Sequence, residues 1–162
     1  QLYEEMHKAI VSNDNALALR AADDMRDKFG STTYAQMAGM MASKVAMEAG
    51  DPKAAKTQLE WVASNAIDEE YKALAKIRLA GILLDEKAYD EGLKLVSGEY
   101  PEPFVALAAD RKGDILVAQE KIDEARAAYQ LALDKSDPKD PGKQLIQIKL
   151  DGIGGAPSKP AA

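Results

Sequence analysis

Gly113-Asp114-Ile115-Leu116, then Lys121-Ile122-Asp123-Glu124-Ala125-Arg126-Ala127-Ala128-Tyr129-Gln130-Leu131-Ala132, and finally Pro138 stand at the spacing of a helix-turn-helix unit. Such units recur about every 34 residues. In them a small residue midway along the first helix lets the second helix approach, and small residues on the second helix receive the first. Gly113 and Ala125 fill those places, Tyr129 is the large wedge, and Ala132 is the next small contact one turn on. The stretch 121–125 is the turn into the second helix, and Pro138 falls one position late.

The pattern recurs upstream. One repeat length before Asp123-Glu124-Ala125 stands Asp90-Glu91-Gly92, and one before Gly113 stands Ala80, flanked by Leu79 and Leu83. A slightly longer step reaches Gly50-Asp51-Pro52-Lys53-Ala54-Ala55, the same inter-helix turn, with Ser43 as its small residue. The spacing is that of tetratricopeptide (TPR) repeats and places three of them at about 33–65, 69–100 and 105–138. A helix pair within 1–30 (2–11 and 16–29) matches poorly and reads as a degenerate first repeat or a cap. A capping helix is expected at about 143–150, where Leu145, Ile146, Ile148 and Leu150 would cover the last exposed face. The expected architecture is an all-α, TPR-like solenoid of helical hairpins over 1–151, with a flexible tail at 152–162.

Composition agrees. The 162 residues suffice for one domain with a continuous core. They are alanine-rich and charged, with little β-branched alternation. Ser31-Thr32-Thr33 and Asp68-Glu69-Glu70 read as helix starts, where side-chain oxygens satisfy free backbone N–H groups. Pro101-Glu102-Pro103 and Asp137-Pro138-Lys139-Asp140-Pro141 break helices, because proline lacks that donor and clashes with the preceding turn. The net charge of −6 repels nucleic-acid backbones and anionic lipid over a Debye length of roughly 8 Å at physiological salt. No cysteine is present, so disulfides and thiolate metal sites are excluded. The chain starts at Gln1 without a methionine, which suggests an excised domain.

Signals for chemistry are weak. His7 is the sole histidine, with no acid/base partner in the sequence, and reads as a surface or cap residue. Asp23-Asp24 with Asp27, and Asp68-Glu69-Glu70, lack the alternating oxygen spacing of a calcium loop and suit a solvated face or a helix N-terminus. Gly152 with Gly154-Gly155 has no following helix to present donors to phosphate. No catalytic residue, cofactor or metal site is expected.

What remains is a groove. In stacked hairpins the first helix of each pair lines the concave side. With Ala55 aligned to Ala125, the lining is Met37, Met40, Lys44 and Met47, then Leu74, Ile77, Gly81 and Leu84, then Leu107, Asp110, Asp114 and Val117. This face is apolar at one end and acidic at the other, and thioethers adapt to varied apolar segments. Methionines at this spacing are equally read as plain core. Aligning Ala54 instead would put Gln36, Gly39, Ser43 and Ala46 on the face. Trp61 beside Val62 reads either as packing between repeats or as a binding hot spot.

Three segments resemble the YfgM family, the TPR-like ancillary subunits of the bacterial SecYEG translocon. They are Val105-Ala106-Leu107-Ala108-Ala109-Asp110-Arg111-Lys112-Gly113-Asp114, the run 121–132, and the closing Gln147-Ile148-Lys149-Leu150-Asp151. Leu2-Tyr3, Ile10-Val11-Ser12 and Lys28-Phe29-Gly30 ahead of Thr33-Tyr34-Ala35 are also similar, so the resemblance covers 2–150. It implies a non-enzymatic domain on the periplasmic side of the bacterial inner membrane, anchored by a spanning helix upstream of Gln1. The implied partners are the translocon, a membrane-anchored prolyl-isomerase-like periplasmic chaperone and exported polypeptides, with a role in envelope stress. No nucleic acid and no direct membrane binding by this domain are expected. The other reading is a TPR scaffold of another envelope complex, in outer-membrane assembly or cell division. What precedes Gln1 separates the two: a basic start with ~20 apolar residues indicates an anchor, and a cleavable signal indicates a soluble scaffold.

Overall fold

The left-handed residues mark the architecture. The computed structural model describes residues 1–157, and Asn13, Gly50, Lys87 and Glu120 take φ of 53°, 75°, 62° and 60°. Each ends the first helix of a hairpin. The Asn13 N–H donates to the Ile10 carbonyl and the Asp14 N–H to that of Ala9. The same two bonds recur from Gly50 and Asp51 to Met47 and Ala46, from Lys87 and Ala88 to Leu84 and Leu83, and from Glu120 and Lys121 to Val117 and Leu116. This is the Schellman closure, which satisfies the last carbonyls of a helix.

The helices so joined are α1 (Leu2–Val11) and α2 (Asn15–Phe29), α3 (Thr33–Glu48) and α4 (Pro52–Asn65), α5 (Glu69–Asp85) and α6 (Tyr89–Val96), and α7 (Val105–Ala118) and α8 (Ile122–Lys135). α9 (Gly142–Gly152) follows. Among the described residues all regular structure is helical, including a 3-10 turn at Glu102–Phe104. Helix starts are capped as their sequences demand. Asp14, Thr32 and Asp51 accept from the N–H groups of Leu17, Ala35 and Ala54 at 3.0, 3.4 and 3.1 Å, and Asp68 accepts from Glu70 at 2.8 Å.

The chain divides into two compact units, Gln1–Ile82 and Leu83 onward, the division falling inside α5. In the first unit α1 packs on α2 and α3, α2 on α3, and α3 on α4. Its core joins Met6, Ala9, Ala18, Ala22 and Met25 to Ala38, Ala42 and Val45. In the second, α6 packs on α7, α7 on α8, and α8 on α9. Ala109, Tyr129, Ala132, Leu133, Ile146 and Leu150 form one cluster there, so α9 lies on the third repeat as expected.

Counting from the left-handed residue puts Met6, Ser43, Ala80 and Gly113 at one structural position, and Ala22, Leu59, Val96 and Tyr129 at another, all buried. The first hairpin thus carries its large residue on α1 and its small one on α2, the reverse of Gly113 and Tyr129. That exchange conceals the N-terminal pair from a consensus of small residues. α6 ends at Val96, within the span 69–100 expected for the second repeat. The segment after α9 is tied down: Arg126 Nε donates to the Gly155 carbonyl at 2.9 Å, and its Nη2 to those of Gly154 and Ala156 at 3.4 and 3.0 Å. The rest of the expected flexible tail, 158–162, lies outside the described residues.

Candidate binding surface

α3 decides the register of the expected groove. Gln36, Gly39, Ser43 and Ala46 are buried, and a Cβ on Gly39 would stand 2.8 Å from Val62 of α4. They form the interior face against α4, so the alternative register is excluded and Ala55 is the matching residue, buried where Ala54 is partly exposed. Gln36 is reached by the backbone N–H of Asp68 at 3.4 Å.

The expected stripe is then divided by burial. Met47 is exposed (43%), Lys44 is exposed and Met37 is half-buried, but Met40 at 5% belongs to the interior. Lys44 borders a cavity of about 200 Å³ with Ile10 and Met41, on the side of α1. Leu74 is half-buried and Ile77, at 5%, is interior. In the second unit Leu84 is half-buried, Leu107 is exposed (46%) and Val117 packs against the α7–α8 core.

Asp110 and Asp114, expected as the open acidic end, are engaged instead. Lys149 of α9 donates to Asp110 at 2.9 Å and lies 3.0 Å from Asp114 Oδ1. The Tyr129 hydroxyl donates to Asp114 at 2.7 Å, and Arg111 stands 3.6 Å away. Two carboxylates thus face one ammonium at hydrogen-bonding range. Burial pushes Asp110 above the usual carboxylate range, Lys149 opposes that shift, and Asp114 reinforces it. Burial pulls the Lys149 ammonium down, but its hydrogen bonds to both carboxylates outweigh this and hold it above its ordinary value. Burial, then the bond to Asp114, raises Tyr129. These groups fasten α9 and are not free to recruit a ligand. The signal missed in the sequence was Lys149, which is local to nothing it pairs with.

Two surfaces were not anticipated. A groove of about 420 Å³ in the second unit runs between the end of α6, α7 and α8, floored by Val96, Val105, Ala108 and Leu116 and walled by Tyr100 and Leu131. Burial pushes the Tyr100 hydroxyl up to about 12, and it donates to the Leu95 carbonyl at 2.7 Å. The sequence signal was Ser97-Gly98, a break well before Pro101. In the first unit Tyr3, Phe29 and Tyr34 are exposed around a hollow of about 460 Å³, with Tyr3 and Tyr34 edge to face at 6.3 Å. Trp61 has a packing role: its ring lies 3.8 Å from the positions a Cβ would take on Gly30 and Gly39, with Arg26 at 6.0 Å.

His7 is exposed on α1, whereas Asp68 caps α5 and Asp23 is engaged. Asp23 pairs with Arg26 at 3.1 Å and accepts from Gln58 at 3.0 Å. Among the described residues there is no group of three or more His, Cys, Asp or Glu that could hold a metal, and no helix long and apolar enough to cross a membrane.

Comparisons agree with this architecture. A model of the tetratricopeptide repeat-like domain matches residues 1–155. The chain is similar to a protein of Neisseria gonorrhoeae named ancillary SecYEG translocon subunit, 34% identical over 129 residues, which cover 80% of this chain and 62% of that one. A protein of the same name from Escherichia coli is 26% identical over 121 residues, 75% of this chain and 58% of that one. The chain therefore spans about six tenths of the length of these relatives.

Proposed function

The chain belongs to the tetratricopeptide repeat-like domain family and is a non-enzymatic protein-interaction domain; from that premise we propose that it serves as an ancillary subunit of the SecYEG translocon. In this reading it works on the periplasmic side of the bacterial inner membrane, beside a membrane-anchored prolyl-isomerase-like chaperone, on newly exported polypeptides and in envelope stress. The observation that carries it is the likeness to two proteins of that name across at least three quarters of the chain.

The contact surfaces proposed are what remains open of the first-helix faces, each within its own unit: Lys44 and Met47 with the half-buried Met37 on α3, and separately Leu107 on α7. Exposed thioethers repack around different apolar partners at little cost. Contacts of this kind are modest, and an upstream anchor would supply avidity by raising the effective concentration. Immobilised protein should retain detergent-solubilised SecYEG, and Met47→Lys should weaken retention. Equal retention of an unrelated membrane complex would refute the reading.

A further inference from the structure

We propose that the groove beside α6 is a docking site for an amphipathic helix of a partner protein, whose two turns replace those that α6 lacks. α6 has eight residues where α4 and α8 have fourteen. At a rise of about 1.5 Å per residue the difference is roughly 9 Å of helix. In the common register Glu99 falls where Val62 stands on α4 and Ala132 on α8, both buried. The backbone instead leaves the helix at Ser97, and a groove remains beside α7, floored by the buried Ala108 and Leu116 and the half-buried Val105, with Leu131 exposed at its wall.

The lining selects the occupant. Apart from the non-helical stretch 97–100 at one end, its walls are helices with their backbone groups paired within themselves, so the groove offers little edge to an extended segment, whose own N–H and C=O groups would go largely unsatisfied. A helix brings its backbone already paired. Ala108, Ala127 and Ala128 present only methyl groups, which permits the close approach of another helix, and Leu131, exposed at 45%, is a ready knob.

Charge supplies the second half of the recognition. Lys112 on α7 and Glu124 on α8 border the groove, and neither has an ion-pair or hydrogen-bond partner among the described residues. Nearby Arg111, Lys149 and Arg126 are engaged, with Asp114, Asp110 and Asp123. A complementary helix therefore has an apolar stripe flanked by one carboxylate for Lys112 and one cation for Glu124. The site lies within the second unit, whereas the α3 face belongs to the first, and it does not depend on which complex the partner comes from.

The test uses the full chain and a stapled twelve-residue helix with a leucine stripe flanked by Glu and Lys, followed by fluorescence anisotropy and amide chemical shifts. The expected result is saturable binding with shifts centred on Val96, Ala108 and Leu131. Leu131→Asp should weaken it about tenfold or more, as for a buried apolar anchor, with the helical signal unchanged because Leu131 is exposed. Lys112→Glu with Glu124→Lys should transfer the preference to the peptide with its two charges exchanged. The proposal is overturned by undiminished binding to Leu131→Asp, by equal binding of a proline-broken peptide, or by no saturation at millimolar peptide. Concentration-dependent self-association that Leu131→Asp abolishes would also overturn it, in favour of a second copy of this chain.

Discussion

The Tyr129 ring occupies the space that any side chain at Gly113 would need: a Cβ built there overlaps the ring edge. The adjacent residue, Asp114, accepts the Tyr129 hydroxyl at 2.7 Å, so one turn of α7 fixes both ends of the wedge. Gly113→Leu should overpack this contact and cost ~1–3 kcal/mol. Urea denaturation followed by circular dichroism measures it, and an unchanged midpoint would remove the repeat register.

Glu120 closes α7 with φ of 60°, a conformation that the equivalent Gly50 adopts without a Cβ penalty. Glu120→Gly should therefore stabilise the fold by about 0.5–1 kcal/mol, despite the added freedom of its unfolded chain. Gly50→Ala should do the opposite. Loss of stability in Glu120→Gly would show that the Glu120 side chain contributes more than its backbone strain costs.

Lys149 predicts an alkaline limb. Its ammonium is held above the ordinary 10.5, and a cation with a raised folded pKa contributes stability that is complete below the unfolded value and lost as pH rises through the folded one. Asp110, raised above 3.8 chiefly by burial, gives a contribution of the same sign, complete below that value and lost as pH climbs through its folded pKa. Lys149→Met leaves two carboxylates facing each other and should cost about 1–3 kcal/mol at pH 7. It should also reduce, without abolishing, the fall in unfolding free energy above pH 10.5, because Tyr100 and Tyr129, both raised by burial, give falls of the same sign. An alkaline limb equal to wild type would assign that limb to other groups.

The charge of −6 forecasts what the domain avoids. It should neither sediment with anionic liposomes nor retard DNA, even at low salt, where screening is weakest. Tight liposome binding by residues 1–162 alone would contradict a role through protein contacts.

The hairpins were legible because close helix approach demands small residues at fixed spacing, as at Gly113, Ala125 and Ala55. Their first member was not, because Met6 and Ala22 meet the same volume requirement with the sizes exchanged between helices. The candidate face was legible in direction but not in depth. Periodicity places Met40 beside Met47, yet only burial in the folded chain makes one interior and the other open. Asp110 and Asp114 looked free because their cation, Lys149, arrives from α9 through a long-range contact that no local pattern encodes. The groove beside α6 escaped notice because a consensus reports the residues that are present, and the groove results from a helix that stops early.

If the open α3 face meets partner proteins, photo-crosslinking in cells from a benzoylphenylalanine at position 47 will capture them. Met47 is 43% exposed, so the substitution should preserve the fold, whereas the same change at Met40, 5% exposed, should not. The prediction is a discrete adduct with a translocon subunit or its chaperone from position 47 and none from Ala16, exposed on α2. Adducts of equal yield from both positions, or none from position 47 while the protein still copurifies with the translocon, would contradict it.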